Sequence, residues 1–144
     1  MQRLSTGIDG LDTVLDGGLL KRQDTLIRGP PGAGKTIFGL HFLAAGSEDT
    51  ESLYINLGEP AEYIERTANA FGLNSESLHF LELAPSEERF SDESSYTLFS
   101  SAEVEKPSLV SEVRETVEEL QPNRVLIDPI TEFRYLTSGP RLSA

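Results

Sequence analysis

"GPPGAGKT", residues 29–36, is the stretch on which the fold turns. Gly29, Gly34, Lys35 and Thr36 satisfy the spacing G-x-x-x-x-G-K-[ST]. Glycines let consecutive backbone N–H groups curl around an anion without Cβ obstruction, and a helix that follows aims its positive end at the same point. Gly29, Pro30, Pro31, Gly32, Ala33, Gly34, Lys35, Thr36 and, one residue into the helix, Ile37 are the expected phosphate-binding residues. Lys35 would neutralise β- and γ-phosphate charge, and the Thr36 hydroxyl would ligate Mg²⁺.

The residues around the loop fit a strand before it and a buried helix after it. "DTLIRG" (24–29) reads as a buried strand, and "TIFGLHFLAAG" (36–46) as a helix apolar over most of its surface that ends at Gly46. Upstream, Ile8, Leu11 and Leu15 recur at helical spacing between a Ser/Thr start and the double glycine at 17–18. Downstream, "SLYINL" (52–57) predicts a strand. A helix from about Pro60 to Phe71 follows, with Tyr63, Ile64, Thr67, Ala68 and Phe71 on one face. "LHFLEL" (78–83) is a weaker strand, and Ser108–Leu120 repeats apolar residues as a helix does before Pro122 forbids continuation. "RVLID" (124–128) is a fourth strand that ends in a carboxylate. Strands alternating with helices predict an α/β domain with a mainly parallel sheet covered on both faces. Residues 85–106, rich in Ser and Glu, read as a solvated acidic loop.

Asp128, at the end of an apolar strand parallel to the loop-bearing one, is the expected second metal residue, because such a strand delivers its last side chain to the same sheet edge. Pro129 follows and cannot supply an adjacent acid. Glu59 in "NLGEP" lies at that edge too, and two readings stand: a base that activates water, or an acid favoured by the dipole of the helix beginning near Pro60. His41 and His79 have no neighbours at metal-ligand spacing.

The chain of 144 residues is about one domain long. It has 24 acidic and 12 basic residues, a formal net charge of -12, and no cysteine. Self-repulsion on this scale suits a salt-rich medium, so a halophilic protein is expected. The same balance argues against a nucleic-acid face, since the only adjacent basic pair is Lys21-Arg22. The polar start "MQRLSTGIDG" and the lack of a long apolar run lead us to expect a cytoplasmic chain with no membrane contact.

Four stretches in order, "LSTGIDGLDTVLDGGL", "GPPGAGKTIFGLHFL", "LYINLGEPAEYIERTANAFG" and "RVLIDPITEF", together resemble the KaiC family of RecA-like P-loop ATPases, up to about Leu136. The resemblance implies a three-layer P-loop fold, ATP binding with Mg²⁺, and rings with nucleotide between subunits. It also implies a role in signalling or timekeeping. Lys35 and Thr36 match its Walker A residues and Asp128 its Walker B aspartate. The family usually carries two adjacent glutamates after the second strand; Glu59 matches the second, and Gly58 stands where the first would be. Weak hydrolysis is the expectation, with homo-oligomers or association with longer relatives. The superfamily also places a later strand between the P-loop strand and the Walker B strand, and nothing after "RYLTSGPRLSA" fills that slot, so residues 1–144 are expected to be a C-terminally incomplete domain. The rival readings are a RadA- or RecA-type DNA-repair ATPase and a nucleotide-binding interaction module that does not hydrolyse.

Overall fold

In the computed structural model, residues 1–74, 76–83 and 109–132 are described. The expected acidic loop at 85–106 and the tail after Glu132 lie outside them.

Three parallel strands form the sheet: β3 (Ser52–Asn56), β4 (Leu78–Glu82) and β5 (Arg124–Asp128), in the order β4-β3-β5. All five residues of β3 are buried, as a central strand of a sheet covered on both sides requires. Its register sets Tyr54 beside Leu126 and Asn56 beside Asp128. A two-stranded antiparallel ribbon, β1 (Arg3–Leu4) with β2 (Leu19–Leu20), stands apart and frames the short helix α1 (Asp9–Val14).

Alternation along β3 divides the core in two. Tyr54 faces α2 (Lys35–Ala44) and α3 (Ala61–Ala70), in a cluster with Leu40, Leu43, Ile64, Ala68 and Leu78. Leu53, Ile55 and Leu57 face the other way, where Leu109, Val113, Val117 and Leu120 of α4 (Leu109–Leu120) pack on them. Helices on both faces of a parallel sheet give the three layers expected of a P-loop fold. On α3 the face is narrower than its apolar residues suggest: Ile64 and Ala68 are buried, whereas Tyr63 and Phe71 are exposed. The helix ends at Gly72, with φ of 66°; the Gly72 N–H donates to Asn69 O and that of Leu73 to Ala68 O, the paired bonds of a Schellman end.

One expected strand does not form. Residues 24–29 are irregular and exposed, with Leu26 at 67% and Ile27 at 40%, and no described strand pairs with them. An apolar run becomes a strand only when a neighbour accepts its N–H groups. Among the described residues β3 is the only strand that pairs with β5, and none on its other edge provides that ladder.

Arg124 begins β5 yet is only 6% exposed. Its Nη1 donates to Ser5 O at 2.7 Å and Phe42 O at 2.8 Å, and the guanidinium lies 4.7 Å from the Phe42 ring centroid. The N-terminal segment, the end of α2 and the sheet are thereby tied together. Among the described residues no helix is long and apolar enough to cross a membrane.

Candidate nucleotide-binding site

The glycine loop enters α2 through two left-handed residues, Gly32 (φ 79°) and Gly34 (φ 89°). A side chain would strain both positions, which explains glycine there. Helix α2 starts at Lys35, and the Phe38 N–H bonds to Gly34 O at 2.8 Å, so the first-turn N–H groups before it have no partner within the helix. Lys35 folds back over the loop, its Nζ donating to Gly29 O and Pro30 O, each at 2.9 Å. The ammonium is thus held at the loop by carbonyl oxygens, which a phosphate would displace with stronger, charge-assisted bonds.

Gly39 lets helix α2 pack directly on Leu126 of β5. A Cβ there would come within 2.4 Å of Leu126 Cδ2. This approach carries Thr36 to the carboxyl end of the neighbouring strand, where its Oγ1 donates to Asp128 Oδ2 at 2.7 Å. Residues 92 positions apart in sequence meet there. The Thr36 oxygen keeps lone pairs while its O–H donates, and the carboxylate keeps its second oxygen. Hard oxygen donors of this kind suit Mg²⁺. Among the described residues no group of three or more His, Cys, Asp or Glu could hold a metal ion.

A cavity of about 210 Å³ opens beside this pair, lined in part by Thr36, Tyr54, Asn56, Gly58, Glu59, Asp128 and Pro129. Glu59 is exposed in the turn between β3 and α3, on the wall of that cavity. The turn is held by Asn56, 1% exposed: its Oδ1 accepts from the Gly58 N–H at 3.1 Å, and its Nδ2 donates to the carbonyl of Glu59. Gly58 is packed against Pro129, whose Cδ would be 2.9 Å from a Cβ at position 58. Of the residues expected from the sequence, Thr36, Glu59 and Asp128 therefore share one cavity, while Lys35 sits with the loop carbonyls.

Two polar residues of the site escaped the sequence reading. Tyr54 and Asn56 stand in a strand whose composition marks it as core, and both are buried. Their spacing is the available signal: they sit two apart, on the strand face shared by the register partners Leu126 and Asp128. Tyr54 Oη donates to Asp128 Oδ2 at 2.7 Å. Burial first, and the carboxylate next to it second, push the phenol's ionisation far up, so it remains a donor.

A family model described as "ATPase: KaiC" matches residues 4–141. The chain is 31% identical over 139 residues to a UPF0273 protein of Methanopyrus kandleri, covering 91% of this chain and 54% of the relative. It is 33% identical over 149 residues to a UPF0273 protein of Thermotoga maritima, covering 95% and 59%. Similarity to the circadian clock oscillator protein KaiC of Parasynechococcus marenigrum is 32% over 139 residues, covering 91% of this chain and 26% of that protein. The chain thus spans from about a quarter to three fifths of the length of these relatives. On the strength of a match across nearly its whole length, the chain belongs to the KaiC ATPase family.

Proposed function

We propose that this chain binds ATP with Mg²⁺ on the 29–36 loop and hydrolyses it slowly. The loop from Gly29 to Thr36, through the N–H groups of its residues other than Pro30 and Pro31, cradles the phosphates with Ile37 at the start of the helix, and Lys35 leaves its loop carbonyls to neutralise β- and γ-phosphate charge. Thr36 and Asp128 hold the metal. Bound there, Mg²⁺ supplies positive charge to the phosphate oxygens. Glu59 orients and deprotonates the attacking water, and a neighbouring subunit or a longer relative completes the charge stabilisation. The observation that supports this reading is the 2.7 Å contact between Thr36 Oγ1 and Asp128 Oδ2, which brings together the hydroxyl and the carboxylate assigned to the metal.

One observation favours a second reading, a nucleotide-binding module without turnover. Gly58 leaves Glu59 as the single carboxylate of its turn, and Pro129 crowds the space where a side chain at position 58 would begin. Release of γ-phosphate by the purified protein, measured beside Glu59→Gln, separates the two. A slow rate that falls at least tenfold in the variant supports hydrolysis with Glu59 as base. Equal rates remove Glu59 from that role, and no release with ATP bound leaves the module.

A further inference from the structure

The hydroxyl of Tyr54 has no packing duty. The side chain is 0% exposed, and its ring stacks on Phe80 of β4 with centroids 5.6 Å apart and an interplanar angle of 29°. A phenylalanine would fill the same space. Burying a hydroxyl costs free energy unless it finds a partner, and here that partner is Asp128 Oδ2, at 2.7 Å. The register explains the reach. Tyr54 lies beside Leu126, two residues before Asp128, and a long side chain on that face extends toward the carboxyl edge of the sheet.

Asp128 Oδ2 therefore receives two O–H groups, from Thr36 and from Tyr54, each at 2.7 Å. One carboxylate oxygen has about two acceptor sites, so these donors saturate it and leave Oδ1 as the oxygen open to further ligands. The donors come from opposite sides of the problem. Thr36 belongs to the first turn of α2, whereas Tyr54 belongs to the buried middle strand.

We propose that Tyr54 is a positioning residue for the metal site: its hydroxyl fixes the Asp128 carboxylate through Oδ2, so that Oδ1 would be left free to take a cation. The inference rests on the Mg·ATP reading above. Tyr54 acts through its hydrogen bond to Asp128. A partner that orients a ligand group in this way typically contributes 10–100-fold to metal affinity.

The test is Tyr54→Phe, read by calorimetric titration of ATP with Mg²⁺ and again with EDTA, and by Mn²⁺ affinity of the ATP complex from electron paramagnetic resonance. The expected variant is cooperatively folded, binds metal-free ATP as the parent does, and loses about tenfold in Mn²⁺ affinity and in the enhancement of ATP binding by Mg²⁺. In an Asp128→Asn background the same replacement should change nothing further, because its route is gone. An unchanged metal enhancement overturns the proposal. So does an added loss in the Asp128→Asn background, or failure of Tyr54→Phe to fold, which would make the hydroxyl a structural group. A parent chain whose ATP binding does not respond to Mg²⁺ would instead sink the underlying Mg·ATP reading.

Discussion

At the scale of single residues, Gly58 in the turn after β3 lies against Pro129. A methyl group at position 58 would press on a ring carbon 2.9 Å away, and a proline ring cannot swing aside. Gly58→Ala should lower stability by about 1–3 kcal/mol, the usual cost of overpacking. In Pro129→Ala the same change should cost much less; urea unfolding of the four proteins in this cycle measures the coupling, and additive losses would deny the contact. Residues of this kind mark where sequence reading stops. Thr36 and Asp128 were legible because their chemistry is tied to a motif and to a strand end. Tyr54 was not, because a tyrosine within an apolar strand is indistinguishable from core until its register against β5 is known. Arg124 was hidden for a related reason: only folding brings Ser5 O and Phe42 O to its guanidinium, which burial holds below the usual arginine range.

At the scale of elements, α1 is tied to the segment before it through one carboxylate. Asp12 accepts from Ser5 Oγ, from Thr6 N at 2.7 Å and from Thr6 Oγ1 at 2.6 Å. These bonds, Ser5's first, hold its pKa below the ordinary 3.8. A depressed carboxylate stabilises the fold at pH above its unfolded value and loses that contribution as pH falls through the folded one. Unfolding midpoints measured from pH 6 downward should therefore show the advantage of the parent over Asp12→Asn shrinking below about pH 4. A constant difference across that range would show that the bonds do not depend on charge. Helices α2, α3 and α4 and strands β3, β4 and β5 were all legible, since each carries enough residues for a period to show. The ribbon β1-β2 was not, with two residues per strand. The run at 24–29 misled because composition reports apolarity but not a pairing partner.

At the scale of the whole molecule, charge and the binding site make separate demands. A formal net charge of -12 on 144 residues implies self-repulsion that salt screens within about 10 Å at 0.1 M and about 3 Å at 1 M. The thermal midpoint should rise by several degrees between 0.1 M and 2 M KCl. A flat or falling midpoint would remove the halophilic reading while leaving the site untouched. The central claim is that the loop at 29–36 binds a triphosphate, and titration calorimetry with ATP and Mg²⁺ on natively folded protein in high salt tests it most directly. The expected result is saturable heat that weakens at least tenfold in Lys35→Ala, since hydrogen bonds to charged groups contribute about 1.5–3 kcal/mol. No saturable heat from the folded parent, or equal affinity in Lys35→Ala, would contradict it.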